Sequence, residues 1–131
     1  MSVPVVALYG ALNAFINVGL ALAVSRARGK EKVSLGHGDS PAMLRAVRAH
    51  GNNAEFVPLA LVMLLIAELM GGSSLWLHVL GGSLTVSRIL QPIGIHQERA
   101  PNTARFIGTA GTWIMILATA AYVLLLRRSG A

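Results

Sequence analysis

Residues 45–58 read RAVRAHGNNAEFVP, and the apolar run FVPLALVMLLIAELM begins at Phe56 inside the same stretch. Two arginines, a histidine, two asparagines and a glutamate lead straight into a segment apolar enough to enter a bilayer. On a helix of about 100° per residue, Arg45, Arg48, Asn52 and Glu55 share an arc of about 80°. His50 and Asn53 point elsewhere. The stripe descends about 15 Å along the helix axis. One charge at the bilayer centre costs about 2.5–3.5 kcal/mol on insertion scales. The stripe is therefore expected to face protein, water or a polar ligand.

Outward from this stretch, the chain keeps the same segregation. Of its 131 residues 54% are hydrophobic and 12% charged, about half the charge of an average soluble domain. The polar residues gather in SRARGKEKVSLGHGDS at 25–40 and IGIHQERAPN at 93–102. This pattern predicts an all-α membrane protein, one domain over 1–131. It is a bundle of four transmembrane helices at about 4–25, 41–70, 74–91 and 103–127. Ser40 and Pro41 are a cap and first residue for the second helix. Pro58 bends it. The glycines and serines at 71–74 make a tight antiparallel turn. Residues 1–24 lack the basic start of a signal peptide.

The net charge is +6. Arg26, Arg28, Lys30, Lys32, Arg45, Arg48, Arg99 and Arg105 fall on one side of the predicted membrane. Only Arg127 and Arg128 fall on the other. The positive-inside rule then places the connections 1–2 and 3–4 in the cytoplasm. No basic face interleaved with aromatics is visible, so nucleic acid is not an expected partner. Cysteine is absent, which removes disulfides and thiolate nucleophiles. The four histidines show no ligand spacing, and no metal is expected.

Three helices send polar groups to one leaflet: Arg45, Arg48, Asn52 and Glu55 from the second, Arg88 and Gln91 from the third, Arg105 from the fourth. Two readings stay open. One is an ion-pair network that locks the helices together. The other is a cationic cavity. Four arginines face Glu55 alone, and guanidinium groups suit a carboxylate ligand. Elsewhere, Asn13 and Asn17 read as interhelical hydrogen bonding, Tyr9 and Trp76 as interface anchors, and GTAGT as a close helix contact. Glu68, near the outer headgroups, and Asp39 show no visible partner.

The helix-two stretch resembles the signature of the membrane-associated proteins in eicosanoid and glutathione metabolism (MAPEG), an Arg-Ala-His-x-Asn-x-x-Glu pattern met here at Arg48, Ala49, His50, Asn52 and Glu55. SRARG after helix one, GGSLTVSRIL in helix three and RFIG in helix four extend the likeness over nearly the whole chain. Its length is similar to that of bacterial members. The resemblance implies a homotrimer in the bacterial inner membrane, with glutathione as co-substrate in a cytoplasm-facing site between subunits. It implies that Arg26 or Arg28, Arg48, Asn52, Glu55 and Arg88 contact glutathione. Arg105 would stabilise the thiolate as the catalytic residue.

This chain also departs from the family pattern. Gln91 stands for a histidine, Ile95 for a tyrosine and Phe106 for a serine. The departures point away from a specific eicosanoid synthase. The expected function is glutathione transferase or peroxidase activity on apolar electrophiles that arrive from the lipid. The alternative is a non-catalytic glutathione- or lipid-binding protein of the same fold. A small exporter of cationic drugs would need an acidic residue in helix one, and residues 4–24 have none.

Overall fold

The computed structural model describes residues 2–97 and 102–129; Glu98 and Arg99 lie outside the described residues. Four helices follow one another: α1 (Pro4–Glu31), α2 (Pro41–Leu69), α3 (Ser74–His96) and α4 (Thr103–Ser129). Among the described residues there is no strand. α2 and α3 pack together at the centre. α1 lies against both from one side and α4 against both from the other.

Among the described residues three helices, α1, α2 and α4, are long and apolar enough to cross a membrane, where the sequence predicts four; α3 is not apolar enough by itself. α3 has 23 residues, about 34 Å of rise. The outward faces carry large apolar side chains, with Phe15, Ile114 and Leu117 each at least 66% exposed. A water-soluble bundle would not present such a surface, whereas acyl chains or another subunit would cover it. The protein is a multi-pass membrane bundle.

α1 and α3 run well past their sequence-predicted ends at 25 and 91. α1 continues past residue 25 to Glu31, because Ala27, Arg28, Lys30 and Glu31 are good helix formers even where the apolar run has stopped. Lys32 ends it in the left-handed region (φ 54°). α3 runs through Pro92 to His96. The proline forgoes one backbone hydrogen bond, which a helix packed among others tolerates. Pro58 likewise sits inside an unbroken α2. At the start of α2, Ser40 Oγ accepts from Met43 N at 3.1 Å.

Glu68 corrects the sequence expectation, which gives it no partner. Its carboxylate accepts from Val5 N (2.9 Å) and Val6 N (2.7 Å) at the start of α1. α1 has no side-chain cap of its own, so α2 supplies one across the bundle. A charged acceptor on a helix N-terminus gains from both the free N–H groups and the dipole. Glu68→Ala is expected to lower unfolding stability by about 1–2 kcal/mol. Detergent-denaturant titration of the purified protein measures this, with Glu31→Ala as a control that changes little.

Small residues set the helix spacing. Ala60, Leu64 and Ala67 of α2 meet Leu77, Leu80 and Leu84 of α3 and Met115 of α4 in the core. Tyr9 lies flat on Gly81, where a Cβ would come within 2.1 Å of its ring. Its hydroxyl donates to His78 O at 3.1 Å. At the same end of the bundle, Tyr122 Oη accepts from Ser73 N at 2.7 Å. α3 and α4 touch backbone to backbone. A Cβ on Gly94 would sit 2.2 Å from Arg105 N, and one on Gly108 would sit 2.6 Å from Gln91 N.

Candidate functional site

The polar stripe of α2 meets the close α3–α4 pair at the opposite end of the bundle from the tyrosines. Between them opens a cavity of about 550 Å³. α2 contributes Arg48 and Asn52, α3 contributes Gln91, Gly94, Ile95 and Gln97, and α4 contributes Arg105, Phe106 and Thr109, with Asn102 just ahead of it. The backbone contact at Gly94 brings Arg105 to this wall. Asn102 caps α4: its Oδ1 accepts from Arg105 N at 3.1 Å, and its Nδ2 donates to Gly94 O at 2.6 Å. One residue therefore starts α4 and ties it to α3.

The sequence-predicted residues divide into four groups. Arg48, Asn52 and Arg105 are brought together at the cavity. Glu55 stands beside it, with Oε1 3.9 Å from Arg48 Nη1 and both side chains more than half exposed. An open pair at that distance contributes about 0–1 kcal/mol; it aligns Arg48 more than it holds the fold. Arg26 and Arg28 lie on the last turns of α1 and do not line the cavity. Arg28 Nη1 donates to the carbonyls of Val33, Ser34 and Gly36 at 3.1–3.4 Å, fixing the connection. Arg88, expected at the ligand, stands behind Asn52 instead. It is 1% exposed.

Both terminal nitrogens of Arg88 meet acceptors, while its buried Nε has no hydrogen-bond partner among the described residues. Nη1 donates to Asn52 Oδ1 at 2.9 Å, and Nη2 donates to Gly108 O at 3.0 Å and to Thr112 Oγ1. The Thr112 hydroxyl passes its own hydrogen to Gly108 O at 2.8 Å. Close packing at Gly108 is what makes that carbonyl reachable.

The two asparagines of the stretch, about 100° apart on the helix, face different ways, as the helical spacing predicts. Asn53 is buried and donates to Asn17 Oδ1 at 3.1 Å. Asn13 donates to Tyr9 O at 2.8 Å and to Thr85 Oγ1 at 3.1 Å. These bonds fasten α1 to α2 and α3. Three departures from the family pattern, Gln91, Ile95 and Phe106, line the cavity; a fourth, Gly51 where some eicosanoid-forming relatives have a basic residue, does not.

Gln97, Asn102 and Thr109 were not singled out by sequence. Asn102 had a readable signal, a capping residue three before Arg105; Thr109 had the helical spacing of four from it. Among the described residues no carboxylate lines the cavity, while two guanidinium groups do. Such a wall favours an anion with several acceptor oxygens. Among the described residues no three His, Asp or Glu side chains gather as a metal set.

Comparison with known proteins agrees with this architecture. The chain is 31% identical over 111 residues to "Inner membrane protein YecN" of Escherichia coli strain K12, covering 85% of this chain and 83% of that one. The same figures hold for its counterpart in Escherichia coli O6:H1. The MAPEG family model matches residues 6–125. With the four-helix bundle and the helix-two stretch in place, the chain belongs to the MAPEG family.

Proposed function

We propose that the cavity between α2, α3 and α4 binds glutathione, and that the protein joins it through its sulfur to apolar electrophiles or uses it to reduce lipid hydroperoxides. The observation that carries this reading is a cavity of about 550 Å³ lined by Arg48 from α2 and Arg105 from α4, with no carboxylate among its described lining residues. That volume is in the range of small-molecule sites. Glutathione carries two carboxylates and one ammonium group. Arg48 and Asn52 receive a carboxylate, and Glu55 at the rim receives the ammonium.

Arg105 takes the sulfur. A guanidinium beside a thiol favours the thiolate, and the start of a helix adds amide dipoles of the same sign. The thiolate attacks the electrophilic carbon, a carbon–sulfur bond forms, and the leaving group departs as an anion. The apolar substrate comes from the bilayer past Phe106, which is 72% exposed.

The same reading makes the protein a homotrimer of a bacterial inner membrane, with both polar connections in the cytoplasm. Arg26 or Arg28 then serves a neighbouring subunit's site. Light scattering of the detergent complex gives the subunit number.

Titration calorimetry tests the binding. Arg48→Ala is expected to weaken glutathione affinity about tenfold or more, and Glu55→Gln somewhat less. Unchanged affinity in both variants removes the reading. One observation favours non-catalytic binding: Ile95 and Phe106 put apolar side chains on the cavity wall. Under that alternative, glutathione binds, but neither conjugation of an aromatic chloride nor hydroperoxide reduction exceeds the rate in buffer.

A further inference from the structure

The geometry points to Arg88 as a positioning residue that fixes which end of the Asn52 amide meets the ligand. It thereby makes this wall of the cavity selective for an anionic acceptor over a neutral amide. The inference rests on the glutathione reading for its ligand, and on the structure for its mechanism.

An asparagine amide has a donor end and an acceptor end of nearly the same shape, and its surroundings choose between two orientations. At Asn52 the choice is forced. Arg88 Nη1 donates to Oδ1 at 2.9 Å and reaches the backbone oxygen of the same residue at 3.5 Å. A guanidinium has no acceptor. Turned over, the amide would press its N–H groups against those of Arg88. Oδ1 is therefore held inward, and Nδ2 is the group left for the cavity that Asn52 lines.

Arg88 itself cannot turn away. Its other arm is held by Gly108 O and Thr112 Oγ1 on α4, and the residue is 1% exposed. Three helices thus set one amide. None of the partners holding Arg88 is a carboxylate, so its charge also acts on the cavity uncancelled by a contacting anion. With Arg48 and Arg105 on the same cavity, Nδ2 adds a further donor. A carboxylate meets such a wall with two charged acceptor oxygens; a carboxamide has one neutral acceptor and sets its NH2 against the remaining donors.

Asn52→Asp is the sharpest test. The acid keeps the shape and its contact with Arg88, and it turns an oxygen toward the cavity where Nδ2 stood. Affinity is measured for glutathione and for its diamide, in which both carboxyl groups are carboxamides. The native protein is expected to prefer the acid by about tenfold or more. Asn52→Asp is expected to bring that preference down to about parity or reverse it, with no fall in thermal stability. Arg88→Met frees the amide to rotate and shrinks the preference as well. If Asn52→Asp keeps the native preference, the inference is overturned.

A second arm does not need glutathione. Acetate is titrated into isotope-labelled protein in detergent, and the Asn52 side-chain amide is followed by NMR. Acetate is expected to shift that signal in the native protein and not in Arg88→Met. If the native protein takes up neither glutathione nor its diamide, the ligand reading fails. The acetate shift then decides the positioning role by itself, and its absence overturns that role.

Discussion

Arg105→Ala is expected to cut turnover of an aromatic chloride by about 10²-fold or more, the usual effect of removing one preorganised electrostatic donor. Glutathione affinity should stay within about threefold, because Arg48 and Asn52 hold a carboxylate and Glu55 the ammonium. The asymmetry has a structural source. Arg105 sits on the first turn of α4, beside the capping Asn102, while Arg48 and Asn52 come from α2. Charge that develops on sulfur meets the first; charge already present on carboxylates meets the second. The check is a pair of measurements, steady-state kinetics with a chromogenic aromatic chloride and calorimetry with glutathione. The pH dependence of the rate should move as well. Without the guanidinium the bound thiol ionises at higher pH, so the variant's rate rises over a more alkaline range than the native one. If affinity and turnover fall by the same factor, Arg105 is a binding residue and the thiolate role is lost.

Gly94→Ala is expected to be the most damaging single methyl in the bundle. The added carbon would stand 2.2 Å from Arg105 N and 2.6 Å from its Cα. Those atoms are backbone, so no rotamer relieves the contact, and α4 must move from α3. Overpacking of this kind costs about 1–3 kcal/mol, and more where backbone is struck. The same shift carries Arg105 and Asn102 off the cavity wall, so ligand binding falls together with stability. Gly29→Ala is the matched control. Nothing lies within 4 Å of the added carbon, and alanine in a helix is favoured over glycine by about 0.5–1 kcal/mol. Thermal melts of both variants in the same detergent check the contrast. A Gly94→Ala protein as stable as the native one would mean that the α3–α4 contact is looser than its geometry.

Much of this architecture was legible in residues 45–58. Helical spacing separated Asn52 from Asn53 correctly: one lines the cavity, the other is buried against Asn17. The number of helices followed from where the charges sit. The end of α1 did not, since hydropathy marks where lipid stops and helix propensity continues to Glu31. The end of α3 was read too early because Pro92 looks like a stop signal, yet a proline can ride inside a helix supported by neighbours. Arg88 shows a different limit. Its type and spacing match those of an anion contact, and only packing distinguishes a cation at the wall from one behind it. The partner of Glu68 lies more than sixty residues away in the chain, and no periodicity within α2 records a contact with α1.

That carboxylate has a bearing on how the chain is made. The two amide groups at Val5 and Val6 leave the ribosome long before residue 68 does. Until the second helix has been threaded back to the same side, the first has an unfinished end. The hairpin of α1 and α2 is thus closed by an acceptor in its last turn, which the leading helix alone does not carry.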